Sequence, residues 1–125
     1  MSIVYKPHKK YPDSIFIREF YGKIKLNEIL KSWSFLSDKI LVDSSVKGLI
    51  NNLLEAELEV DINDFEFIIS QIIKLNFNKK IKIAVITVNP KTIVFPIMAE
   101  SYNKDLNIKT FSSIEAAENW ILNQN

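Results

Sequence analysis

The chain has 125 residues, 47% hydrophobic and 25% charged, and this balance excludes an intrinsically disordered protein. A net charge of +1 gives no overall field that favours nucleic acid, and the absence of cysteine excludes disulfides, zinc thiolate sites and thiol nucleophiles. No secretory signal is visible, and no apolar run approaches the ~18 residues that span a bilayer. We therefore expect one cytoplasmic domain over residues 1–125, with no nucleic-acid partner and no membrane insertion.

The first two elements are predicted to be strands that form a hairpin. A short β-prone run over residues 3–5 ends at Lys6-Pro7, and a longer run over residues 14–21 ends before Gly22. Each face of the longer run is apolar except for one charge, which predicts a strand covered on both sides or near an edge. Helical spacing of apolar residues then predicts the first helix, with Leu26, Ile29, Leu30, Trp33 and Leu36 on one face.

The residue pattern in the middle of the chain predicts a strand, a helix and a second, more apolar strand. Polar turn residues over 38–45 precede a strand over 46–53. N-cap residues from Asp61 to Asp64 precede a helix to about residue 75. After a polar, basic break over 76–80, the continuous apolar run 81–88 predicts a buried parallel strand at the centre of the sheet.

The residue pattern in the last third of the chain predicts two more helices, one on each side of a short strand. Asn89-Pro90 is typical of a helix start, residues 108–111 form a strand, and residues 112–115 have capping-box spacing before the last helix. The predicted order is β-β-α-β-α-β-α-β-α. It indicates an α/β fold with a mixed, mostly parallel sheet of about five strands and about four helices.

Five segments occur in a distinctive succession along the chain: residues 20–24, 46–50, the capped helix after Asp61, residues 84–87 and residues 112–117. Together with the order of elements, they resemble the STAS domain family, whose fold is called SpoIIAA-like. The sequence is most similar to uncharacterised STAS-like proteins related to the CRAL-TRIO lipid-transfer fold. The resemblance implies a non-enzymatic regulatory domain that binds other proteins.

The chain departs from the family at the site of its phosphorylation switch. In antagonists of the SpoIIAA type, a phosphorylatable serine begins the helix after the third strand. Here the corresponding stretch is Asp61-Ile62-Asn63-Asp64, which has no hydroxyl to accept a phosphoryl group. These residues are expected to cap the helix, although a permanently acidic cap could also imitate the phosphorylated state.

Two groups of residues suggest chemistry but have simpler interpretations. Carboxylates alternate with apolar residues at Glu55, Glu57, Glu59 and Asp61, so an extended strand would place them on one face. That face could be a weak cation site, or simply a solvated edge of the sheet. His8, the only histidine, follows Lys6-Pro7 and is expected in a solvated hairpin loop. The two glycines of the chain form no phosphate-binding loop. We predict no enzyme, no metal site and no cofactor.

A ligand site is predicted where the parallel strands end. Ligands of open α/β sheets bind beyond the carboxyl ends of the strands. Polar side chains at these ends, beside a helix start that could hold an anion, form the candidate site: Asn51, Asn52, Thr87, Asn89 and Lys91. The same side chains could simply satisfy turns and caps.

The third helix is predicted to carry an interaction surface. Its first half is apolar on nearly every side and is interrupted by a proline, which predicts a kink: Ile93, Val94, Phe95, Pro96, Ile97 and Met98. This segment is expected either to form a contact surface or line an apolar cavity, or to be buried. The sequence thus predicts an interaction domain with an unknown protein partner or a homodimer. The alternative is a binder or carrier of a small apolar or lipid-like ligand.

Overall fold

A computed structural model describes residues 2–42, 45–74, 81–102 and 107–123. Nine elements follow one another in these ranges, in the order that the sequence predicts. The strands are β1 (Ile3–Pro7), β2 (Ile15–Lys25), β3 (Gly48–Glu59), β4 (Lys82–Ile86) and β5 (Asn107–Phe111). The helices are α1 (Leu26–Val42), α2 (Ile62–Lys74), α3 (Pro90–Tyr102) and α4 (Ile114–Leu122).

The five strands form one mixed sheet in the order β1-β2-β3-β4-β5. β1 is antiparallel to β2, with Tyr5 opposite Arg18, and every other pair is parallel. β4, which is buried along most of its length, pairs on both sides. A strand that is covered on both faces needs apolar residues at successive positions. The continuous apolar sequence of β4 follows from this burial. The predicted α/β class and parallel sheet are confirmed.

The helices cover the two faces of the sheet unequally. α1, α2 and α3 pack on one face through side chains that include Trp33, Phe65 and Ala99. Of the helices described, α4 alone covers the other face, where Ala117 and Ile121 belong to a smaller apolar cluster. The larger face therefore holds most of the core, and any enclosed space between sheet and helices is expected there.

β2 and β3 continue well beyond the end of β4. The pairing of β3 with β4 stops at Asn52, whereas β3 pairs with β2 as far as Glu59. A register shift between Glu19 and Tyr21 places an extra residue in β3 where the two pairings separate. The prediction that this strand ends at residue 53 was therefore too short, because the alternating residues 54–59 extend it.

Side-chain caps fix the starts of the helices. The Asp61 carboxylate accepts hydrogen bonds from the backbone N–H groups of Asn63 and Asp64, and the Asp64 carboxylate accepts one from the Asp61 N–H. This reciprocal pair is a capping box. Ser113 caps α4 by accepting from the Ala116 N–H, so the predicted box between Ser112 and Glu115 is one residue out of register.

Two other local predictions differ from the structure. α1 continues through Asp38 to Val42, where polar residues had predicted a turn, because its apolar face is anchored on the sheet by residues such as Trp33 and Leu36. α3 runs as one element from Pro90 to Tyr102, through the predicted kink at Pro96. Within the four ranges described, no helix is long and apolar enough to cross a membrane.

Candidate functional site

A cavity of about 50 Å³ lies between the larger face of the sheet and the three helices that cover it. β2, β3 and β4 form its floor, and α1, α2 and α3 contribute the remaining walls. The described residues that line it are apolar except for one cationic and two neutral polar ones: Arg18, Phe20, Ile29, Trp33, Asn51, Leu53, Leu58, Phe65, Ile68, Ile83, Val85 and Thr92. The cavity is the centre of the candidate site.

Arg18 is the only arginine of the chain, and its exposed fraction is 2%. Alternation along β2 sends Ile15 and Ile17 to the face under α4 and sends Arg18 and Phe20 to the face under the other three helices. The guanidinium is thereby carried into the larger core. Among the described side chains, no other cationic one is buried.

Neutral oxygen atoms accept the hydrogen bonds of the buried guanidinium. Arg18 Nε donates to Asn51 Oδ1 at 2.7 Å, and Arg18 Nη1 donates to Ser32 Oγ at 2.7 Å. The Tyr5 hydroxyl donates to the same Ser32 oxygen at 2.8 Å, and Asn51 Nδ2 donates to the Ala84 carbonyl at 3.0 Å. β1, β2, β3, β4 and α1 are therefore joined through a polar network inside an apolar core.

Aromatic rings complete the surroundings of the guanidinium. Its central carbon lies 4.2 Å from the ring centroid of Trp33 and 5.1 Å from that of Phe20. Ring quadrupoles attract a cation at such distances. Burial nevertheless lowers the pKa of Arg18 to about 9, against a smaller opposing effect of Tyr5. The side chain is therefore still charged at neutral pH.

The predicted strand-end residues do not gather around one site. Asn51 lines the cavity and binds Arg18, whereas Asn52 accepts a hydrogen bond from the N–H of Leu54 at the register shift of β3. Thr87 accepts from the Asn89 N–H, and Asn89 accepts from the exposed Lys91 N–H at the start of α3. These contacts serve turns and a helix cap.

The apolar segment of α3 is divided between the core and the surface. Ile93 is 37% exposed and Ile97 is 65% exposed, one helical turn apart on the same face. Val94 and Met98 are partly buried, and Met98 packs against the larger core. The side chains of Phe95 and Pro96, which the sequence placed in the same surface, lie outside those that the structure describes.

His8 does not lie in a solvated loop as predicted, for its exposed fraction is only 6%. Nδ1 accepts hydrogen bonds from the backbone N–H groups of Lys10 and Tyr11 at 3.0 and 3.1 Å, and Nε2 lies 2.5 Å from the Glu118 carboxylate. Two N–H groups that point at Nδ1 require a lone pair there, so the ring proton is on Nε2. His8 therefore joins the β1–β2 loop to α4.

We expect His8→Ala to lower the free energy of unfolding by about 2 kcal/mol, because two backbone donors and a carboxylate lose their partner. Chemical denaturation at neutral pH measures this difference. Lys9→Ala, which removes an exposed side chain of the same loop, serves as control and should change stability little. Equal effects of the two substitutions would contradict the structural role of His8.

The acidic residues over 55–61 are exposed or cap a helix. Glu55, Glu57 and Glu59 are exposed along β3, and Asp61 caps α2. In the part of the chain that the structure describes, no three His, Cys, Asp or Glu side chains gather closely enough to hold a metal ion.

Arg18 is the site residue that the sequence interpretation missed. A signal was present, since the only arginine stands on a strand face that is otherwise apolar. Its role depends on α1, α2 and α3 leaving a space above β2 and β3, which no local pattern in the sequence indicates.

Two solved structures resemble this chain over nearly its whole length. One, an uncharacterized DUF3478-family protein with a SpoIIAA-like fold from Shewanella loihica PV-4, is 13% identical, with a TM-score of 0.60 over 95% of this chain and 91% of its own. The other, the anti-sigma factor antagonist SpoIIAA in its unphosphorylated form, is 9% identical, with a TM-score of 0.53 over 93% of each chain. No family model and no curated protein matches the sequence. The chain therefore has a SpoIIAA-like fold, as its sequence predicts.

Proposed function

We propose that this protein is a non-enzymatic, cytoplasmic interaction or regulatory domain of the STAS type, and that it docks a partner protein through the α3 surface. We define this surface as Ile93 and Ile97. The observation that carries the proposal is the 65% exposure of Ile97, beside another exposed isoleucine on the same helical face. Apolar side chains grouped on a helix face are suited to contact with another protein. The fold it shares with an anti-sigma factor antagonist supports a protein partner.

The absence of enzymatic activity is supported by the engagement of the one histidine. Both ring nitrogens of His8 already have partners within the domain, so the ring is not free to transfer a proton to a substrate. Asp61 and Asp64 are engaged in the cap of α2. Because carboxylates rather than a serine cap this helix, the contacts support the proposal that the domain lacks the serine phosphorylation switch of SpoIIAA-type antagonists.

Site-specific photo-cross-linking tests the docking surface in cells that express the protein naturally. A photoreactive residue at Ile97 should give one discrete adduct, and Ile93→Glu should reduce its yield several-fold by placing a charge in the contact. The same residue at Glu115, exposed on α4 at the opposite face of the sheet, is the matched control and should not give this adduct. No adduct at Ile97, or identical adducts at both positions, would overturn the proposal.

Light scattering separates a foreign partner from a second copy of the chain. The chain mass is 14.5 kDa, so a homodimer would give about twice this value and an adduct of the same doubled mass. A partner protein instead leaves the purified chain at its monomer mass. The homodimer prediction is thereby tested with the same preparation.

A second candidate function is the binding of a small apolar ligand, and the cavity favours it. Its walls are almost wholly apolar, and it lies within the core of a fold whose predicted kinship includes lipid-transfer proteins. The cavity is limited to about 50 Å³, so a whole lipid would require the helices to move apart. A small ligand matches this volume.

A further inference from the structure

No described side chain of opposite charge compensates the charge of Arg18 inside the core. Its hydrogen-bond acceptors, Asn51 and Ser32, are neutral. Among the residues that the structure describes, Lys6 forms an ion pair with Glu19 and His8 contacts the Glu118 carboxylate, and neither contact includes the guanidinium. Taking an ion out of water is costly unless an opposite charge accompanies it. An apolar residue would fill this position at lower cost, so the retained charge points to a ligand.

The guanidinium also has donors left over. An arginine carries five N–H groups, and the contacts to Asn51 and Ser32 use one on Nε and one on Nη1. Nη2 donates no hydrogen bond to any part of the chain within the described ranges, and Arg18 lines the cavity. Thr92, also buried, adds a hydroxyl to the same lining. The cavity thus combines apolar walls with a cationic fork that has donors to spare.

The size and charge of the cavity define the ligand class. One planar cation matches one carboxylate, which can accept two parallel N–H groups, whereas a phosphate dianion would leave a charge unpaired. The remaining walls, which include Leu53, Ile83 and Val85, require an apolar body. The cavity volume of about 50 Å³ favours a short acid over a fatty acid.

We propose that the cavity binds a short monocarboxylic acid, with its carboxylate on Arg18 and its apolar body against the walls formed by β3, β4 and α2. This inference rests on the second candidate function, ligand binding, and specifies its ligand. It is independent of docking through the α3 surface. Asn51 and Ser32 act as positioning residues that hold the guanidinium toward the cavity.

Titration of the unmodified protein with butyrate and with 1-butanol tests the proposal without any variant. Methyl signals of Ile83 and Val85 in NMR spectra report occupancy of the cavity. We expect saturable shifts with butyrate and an affinity for 1-butanol that is lower by about tenfold or more, as loss of a charge-assisted hydrogen bond implies. A series from acetate to octanoate should pass through an optimum at short chain length.

Arg18→Met, with Lys23→Met as control, assigns the charge preference to one residue. Both substitutions remove one positive charge from β2, but Lys23 is exposed and outside the cavity lining. Arg18→Met should abolish the preference for butyrate over 1-butanol, whereas Lys23→Met should leave it unchanged. If Arg18→Met does not fold, the comparison of butyrate with 1-butanol in the unmodified protein still tests whether the cavity prefers a carboxylate.

The possible outcomes separate the two levels of the proposal. Equal binding of butyrate and 1-butanol, or a preference that survives in folded Arg18→Met, would overturn the carboxylate assignment and leave apolar ligand binding in place. Absence of cavity shifts with every acid of the series and with 1-butanol would overturn both.

Discussion

Asn51→Leu is expected to lower the free energy of unfolding by about 3 kcal/mol, since it leaves a buried charged group without an acceptor. Asn51 Oδ1 is the acceptor for Arg18 Nε, and leucine has similar volume but no oxygen. The loss should therefore come mainly from the stranded guanidinium, with a smaller share from the Ala84 carbonyl that loses its Asn51 Nδ2 donor, rather than from a change in packing. Chemical denaturation of the variant and the unmodified protein measures it.

Arg18→Met should behave in the opposite way. It replaces a buried ion with an apolar chain of similar length, and such replacements are often neutral or stabilising. In the double variant Arg18→Met/Asn51→Leu, the penalty of Asn51→Leu should largely disappear, because no charge is left to strand. The double-mutant cycle thus assigns the penalty to the interaction between the two side chains.

Asn52→Leu is the matched control for this cycle. Asn52 is the next residue of β3, is only partly buried, and accepts from the Leu54 N–H rather than from Arg18. Its substitution should cost less than that of Asn51, and Arg18→Met should not rescue it. A penalty for Asn51→Leu that persists in the double variant would show that Arg18 is not responsible.

Gly48→Ala is expected to have an effect of similar size, about 3 kcal/mol, through overpacking. A Cβ atom at Gly48 would lie 2.4 Å from Cγ2 and 2.7 Å from Cδ1 of Ile121 in α4. Ile121 is 3% exposed and branched at Cβ, so it has little freedom to move aside. Thermal and chemical unfolding should both report the loss.

A smaller side chain at position 121 should relieve this clash. Ile121→Ala alone opens a cavity and destabilises, but adding Gly48→Ala to it should cost little or restore stability, because the new methyl group occupies freed space. Gly22→Ala is a control: its φ of 74° strains alanine, yet no atom lies within 4 Å of a Cβ there. Ile121→Ala should not rescue Gly22→Ala, and failure to rescue Gly48→Ala would refute the clash.

The fold was predictable because its elements are specified locally. Alternation in β2, the apolar run of β4 and the caps at Asp61, Asn89 and Ser113 each fix one element from a few neighbouring residues. Parallel order then follows from the succession of strands and helices. Local signals over residues 38–42 were ambiguous, and α1 continues there because Trp33 and Leu36 anchor it on the sheet.

The site was only partly predictable because its contacts are distant in sequence. Asn51 was identified from its place at the end of a strand, but its partner Arg18 lies 33 residues earlier, and Ser32 joins them from α1. His8 and Glu118 are 110 residues apart, so the sequence around His8 does not indicate that α4 packs against it. Such pairs arise only when the whole sheet is assembled.

NMR observation of the Arg18 Nε–H group tests most directly the claim that this cation is held for a ligand. The chain has one arginine and therefore one such signal. If Arg18 binds the carboxylate, butyrate shifts this signal saturably, in step with the methyl signals of Ile83 and Val85, and 1-butanol shifts it far less. An Arg18 signal unmoved by butyrate across the acid's full titration range would rule out a carboxylate bound to Arg18.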